Sequence, residues 1–181
     1  MSMLIYVLMA VFSAGALATN NRMCSIFAAA MAPTGALMCF LALFSGAVWG
    51  RPTWGAYWVW DARLTSELIL LFLYLGFLAL QSSIADIKRA DKACALIALV
   101  GVVNVPIIYF SVRWWNTLHQ GASITSRGSS IATIMLVTLL LMVAAFWIYS
   151  LAATFARTRT IILERERREA WAQEAALKGD I

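Results

Sequence analysis

Histidine is nearly absent from this chain, cysteine occurs without partner spacing, and charge is scarce. Each shortage removes a class of function. His119 is the only imidazole, and it lies outside every apolar run, so no span carries the histidine pair of an electron-transferring b-type cytochrome subunit. Cys24, Cys39 and Cys94 are far apart, with no Cys-x-x-Cys, no Cys-x-x-Cys-His and no zinc spacing. That argues against a thiol oxidoreductase and against haem attached through paired thioethers. Only 13% of residues are charged, against roughly 25% in a soluble domain. Within the apolar runs the one ionisable carboxylate is Glu67, near a span end, and the interior otherwise offers mainly Asn104. A channel or solute transporter normally needs more intramembrane ionisable groups than that, and Asn104 reads instead as an interhelical hydrogen-bonding residue or a support for the loop that follows it.

What the chain has in abundance is apolar side chains, 62% of 181 residues. This marks an integral membrane protein, all-α, a polytopic helix bundle of about five transmembrane helices. The spans are expected over residues 1–18, 26–48, 64–82, 93–110 and 131–153, each long enough to cross about 30 Å of hydrocarbon. Ala16-Leu17-Ala18 resembles a signal-peptidase site, but no basic n-region precedes it, so the first run reads as a span. Residues 1–155 form one transmembrane unit, and 156–181 a charged tail ending the chain as a short cytoplasmic helix. The net charge of +5 reflects bases gathered at span ends, which topology explains without nucleic acid.

Loop charges set the expected orientation. Arg22, then Lys88, Arg89 and Lys92, then Arg157, Arg159, Arg165, Arg167, Arg168 and Lys178 fall on one side of the membrane. Only Arg51, Arg63, Arg113 and Arg127 fall on the other. The richer side should be cytoplasmic, which puts residues 49–67 and the loop of residues 111–130 together on the outer face.

Residues 49–67 are the most unusual stretch. Trp49, Trp54, Tyr57, Trp58 and Trp60 stand among Gly50, Pro52, Arg51, Asp61, Arg63 and Glu67. One reading is an interfacial aromatic belt. The other is a ligand platform, because Trp54, Tyr57 and Trp58 at helical spacing would line up as a flat shelf for a planar apolar ligand. Arg63 and Glu67 sit at i and i+4, a spacing that allows an ion pair. Trp114, Trp115 and His119 share the same side. A neutral imidazole is the commonest metal ligand, and arginines pair with carboxylates. Haem offers a planar macrocycle, an iron that takes an axial histidine, and two propionates. The bland readings stay beside these: His119 as a surface residue, Asp61 as the N-cap of the third span, the arginines as partners of lipid phosphates.

The run from Trp54 through Tyr57-Trp58-Val59-Trp60-Asp61-Ala62-Arg63 to Leu68 resembles the WWD motif of the haem-handling proteins of cytochrome c maturation, system I, and most closely the CcmC branch. Met31-Ala32-Pro33-Thr34-Gly35-Ala36, Asn104-Val105-Pro106 and Trp114-Trp115-Asn116-Thr117-Leu118-His119-Gln120-Gly121 are also similar to that branch, in the same order. The resemblance implies a bacterial inner-membrane protein that is not an enzyme. Such a protein binds haem b at the periplasmic face and delivers it to a periplasmic haem chaperone, CcmE. A small membrane subunit, CcmD, and an ATP-driven transporter, CcmAB, are its implied partners, with membrane lipids around it. Carried over residue by residue, it implies a haem platform of Trp54, Trp58, Trp60 and Asp61, with His119 as axial ligand of the haem iron; the shared outer face adds Trp49, Tyr57, Arg63, Trp114 and Trp115 as candidate haem-binding residues.

Two departures accompany the resemblance. Tyr57 stands where related proteins often have tryptophan, which keeps a flat ring. The branch also implies a sixth span and a second periplasmic histidine just before the span equivalent to residues 1–18, and neither is in this sequence. A recorded start downstream of the true one is the expected reason; a degraded remnant and a ligand supplied by a partner are the others.

Overall fold

A computed structural model describes residues 1–115, 119 and 131–166, and the backbone of 124–125 and 128–129. The rest of the 111–130 loop, Arg127 included, and the tail beyond Glu166, with Arg167, Arg168 and Lys178, lie outside the described residues. The architecture is the expected all-α one. Five helical segments are long and apolar enough to cross a membrane. A two-residue antiparallel ladder, Ile124 opposite Ser129 and Thr125 opposite Gly128, is the one strand pairing among the described residues.

Helix α1 covers Ser2–Thr19 and stops at Asn20, whose φ of 51° is left-handed. Asn21 caps α2, accepting from Met23 N, and α2 then runs unbroken over Arg22–Trp54. At 1.5 Å per residue its 33 residues measure about 50 Å. It outruns the hydrocarbon layer and carries Trp49, Arg51 and Trp54 beyond the membrane. Pro33 and Pro52 lie inside it.

Small side chains make α2 the hub of the bundle. Ala28, Ala29, Ala32, Thr34, Gly35 and Ala36 are buried, and α2 packs against α1, α3 and α6. In lipid there is no hydrophobic drive between helices, so close backbone approach does the work. At Gly35 the approach is tightest: a Cβ there would run into the Tyr74 ring. Tyr74 in turn donates to Ser2 O at 2.7 Å and meets the Tyr6 ring edge-on at 4.9 Å.

Helix α3 spans Ala62–Ser83 with Asp61 as N-cap. The fourth expected span is two helices, α4 at Ile87–Gly101 and α5 at Asn104–Trp114. Pro106 explains the break: it has no N–H to give, and its ring would strike the carbonyl four residues back at Val102. Asn104 spans the gap to α3 by donating to Ser66 O at 2.8 Å, the interhelical role expected of it.

The last span extends further than expected. Helix α6 is continuous over Thr133–Arg165, so the first part of the charged tail prolongs the membrane helix. Its buried residues are Ser150, Thr154 and Thr158, spaced by four along the side that packs on α2. Arg157 donates to Thr34 of α2. At the helix end Arg165 grips Asp91 of α4 through two hydrogen bonds, of 2.9 and 2.8 Å.

The Arg63–Glu67 ion pair that spacing allows is not formed. Glu67 lies on the face of α3 turned into the bundle, where its Oε1 accepts from Ser2 Oγ at 2.8 Å and lies 3.4 Å from Cys39 Sγ. Arg63 has no carboxylate partner among the described residues.

Candidate functional site

The two ends of the bundle differ in chemistry. One holds Ser2, Glu67, the aromatic stretch and His119. The other gathers Arg22, Ser25, Asp91 and Arg165.

The aromatic end is built by a helix stop and a helix start. Gly55 takes a φ of 79° and closes α2, its N–H bonding to Arg51 O at 3.0 Å. A residue with a Cβ would be strained in that left-handed conformation. The chain stays non-helical until Asp61. The flat shelf that helical spacing suggested is therefore not formed, because the helix that would have aligned Trp54 with Trp58 ends between them.

The rings meet at corners instead. Trp49 and Trp54 stand edge-to-face with centroids 5.5 Å apart, and Trp58 and Trp60 do the same at 5.5 Å. Trp54 and Trp58 pack on the hydrophobic core, whereas Trp60 is 75% exposed. Trp58 Nε1 is buried with no hydrogen-bond partner among the described residues. Tyr57 turns aside, its hydroxyl accepting from Arg51 Nη1 at 2.8 Å while the guanidinium lies 4.8 Å from the ring centroid. Trp114 stacks on Phe110 at 5.3 Å and meets Trp115 at 5.9 Å. These two tryptophans make no ring contact with Trp54, Trp58 or Trp60 among the described residues.

Asp61 joins the parts of the site. Its Oδ1 accepts from Leu64 N at 2.7 Å, capping α3, and its Oδ2 lies 2.7 Å from His119 Nδ1. The two readings weighed for this residue, cap and site member, are thus both occupied, one oxygen each. A carboxylate only accepts, so Nδ1 carries the shared hydrogen, and in the neutral ring Nε2 is the nitrogen that keeps a lone pair. Metal-binding histidines are commonly held this way, the second nitrogen anchored so that the first is oriented and more basic. The His119 ring also stands 4.8 Å from Trp54 at 67°. His119 and Asp61 side chains are only 20% and 7% exposed, so this is not a free surface histidine.

Sequence reasoning named both members of this pair but not the pairing. Fifty-eight positions separate them, and no local periodicity reports such a contact. Among the described residues no three of His, Cys, Asp and Glu converge on a bare metal ion. One imidazole anchored through Nδ1, with the Trp54 indole against it, fits instead a metal that arrives already held in a planar ring.

The family model described as "Heme exporter protein C" matches residues 1–173. The chain belongs to that family. Heme exporter protein C of Escherichia coli K12 is 47% identical over 177 residues, covering 98% of this chain and 71% of that protein. Its counterpart in Haemophilus influenzae is 47% identical over 176 residues, 97% of this chain and 72% of the other. The similarity reaches organelles: a putative cytochrome c biosynthesis ccmC-like mitochondrial protein of Marchantia polymorpha is 44% identical over 163 residues, 90% and 69% of the two chains.

Proposed function

We propose that this chain works in haem export for cytochrome c biogenesis, holding haem b as cargo at its aromatic end without chemistry of its own. The observation that carries the proposal is the Asp61–His119 contact, which leaves Nε2 available as an axial ligand beside Trp54. Trp60 supplies exposed aromatic surface to the macrocycle, and Trp49, Tyr57, Trp114 and Trp115 extend that border. Arg63, free of a carboxylate partner among the described residues, pairs with a propionate. Trp58 backs this surface through its edge-to-face contact with Trp60.

In this reading the aromatic end faces the periplasm of a bacterial inner membrane and the basic end faces the cytoplasm, as the loop charges argue. Delivery goes to a CcmE-like haem chaperone by exchange of the His119 ligand, with a CcmD-like small subunit and a CcmAB-like ABC transporter as companions. Protein purified in detergent and titrated with haem should develop a Soret band. If His119→Ala and Trp58→Ala leave both haem content and delivery to the chaperone untouched, the proposal fails.

A further inference from the structure

The basic end of the bundle holds a cavity that haem handling does not use. It encloses about 590 Å³ where the end of α1 and the starts of α2 and α4 meet the last turn of α6, within the size range of small-molecule sites. Arg22, Lys88, Lys92 and Arg165 line it, with Asp91 as the one acid among the described residues.

That acid is already engaged. Arg165 holds both Asp91 oxygens at 2.8 and 2.9 Å, and the Ser25 hydroxyl lies 2.7 Å from Oδ2. Arg22 reaches outward to Glu166 at 3.2 Å. Lys88 and Lys92 are one helical turn apart on α4 and have no ion-pair partner among the described residues, so the described lining carries more positive than negative charge. The N-terminal turns of α2 and α4 are capped by Asn21 and Asp86, so the positive character of the cavity comes from its basic side chains. A cleft of one charge between low-dielectric walls focuses its field on an anion.

The remaining lining selects the kind of anion. Leu17 of α1 and Ile87 of α4 are part of the same wall. Farther along these helices, Leu8 and Val11 of α1 and Leu96 and Val100 of α4 are exposed, as side chains meeting lipid tails would be. A ligand with a charged head and apolar chains matches both parts. We propose that this cavity binds the phosphate headgroup of an acidic phospholipid, with Lys88 and Lys92 as its charge partners. A basic pocket between spans is the usual form of such a site.

Native mass spectrometry of the detergent-purified chain, with phosphatidylglycerol, phosphatidylcholine or inorganic phosphate added, tests this. Phosphatidylglycerol should be retained in preference to phosphatidylcholine, and Lys88→Gln with Lys92→Gln should weaken its retention about thirtyfold, Lys88→Gln alone about fivefold. Arg89→Gln removes the same charge from the same helix outside the cavity and should leave retention unchanged. Haem uptake by the double variant, read in the same preparation, should match wild type, since both lysines are exposed and far from the aromatic end. Equal retention of the two lipids, or undiminished phosphatidylglycerol on the double variant, overturns the proposal. Displacement of the lipid by equimolar inorganic phosphate would also overturn it, assigning the cavity to free phosphate.

Discussion

Asp61 Oδ2 and His119 Nδ1 lie 2.7 Å apart, while the other oxygen of the same carboxylate holds the first turn of α3 through Leu64 N. One side chain therefore fixes a helix start and an imidazole at once. The two duties can be separated by substitution, because asparagine caps a helix about as well as aspartate does but cannot offer a carboxylate to the ring.

Asp61→Asn should keep the fold and weaken haem binding. Loss of such an outer partner typically costs about 10–100-fold in affinity. Asp61→Ala should show the same loss and, in addition, about 1 kcal/mol of lost stability from the missing cap. Haem titration at the Soret band beside thermal unfolding separates the two variants; an Asn variant with wild-type affinity would leave the pairing without a role.

Trp54 and Trp60 should divide in the same way. Trp54 is packed on the core and against His119, so Trp54→Ala should lose roughly 3 kcal/mol or more of stability along with haem. Trp60 is exposed, and Trp60→Ala should lower haem retention while the unfolding midpoint stays within a degree or so. A Trp60 variant that retains haem fully would remove that ring from the platform.

Close helix contacts predict which glycines matter. A Cβ at Gly35 would strike Tyr74, and one at Gly101 would strike the Tyr6 hydroxyl and Leu73, while at Gly46 it would meet nothing. Gly35→Ala and Gly101→Ala should each cost about 1–3 kcal/mol by overpacking. Gly46→Ala should be neutral or slightly stabilising in the same unfolding measurement.

At the opposite end, Arg165 and Asp91 side chains are 9% and 21% exposed. Removing one partner strands the other, so Arg165→Met should destabilise by about 1–3 kcal/mol, below the value for a fully buried pair. Adding Asp91→Asn should restore part of that loss, and a double-mutant cycle reports the coupling.

Much of this fold was legible because apolar run length is a strong signal. The five spans lie where hydropathy put them, and Asn104 makes the interhelical bond its position suggested. Ends were harder to read. Pro106 marks the interruption of the fourth span, yet Pro33 and Pro52 sit within an unbroken α2, since neighbouring helices decide whether a proline stops a helix. The aromatic stretch misled for a similar reason: four-residue spacing implies a shared face only where the helix continues, and Gly55 ends it. Glu67 turned inward because Ser2 waits there, a partner 65 positions away that no i,i+4 rule contains. Asp61 and His119 could be singled out from the sequence as candidates; their contact could not.

The bond from Asn104 to Ser66 has a consequence beyond packing. It pins the start of α5, whose far end leads to His119, onto the first turns of α3, whose start is Asp61. The helix that Asp61 caps is thus tied to a second one within the first turns after its cap, and loosening that tie at Asn104 would free the carboxylate's own helix from inside the membrane, with Asp61 itself untouched.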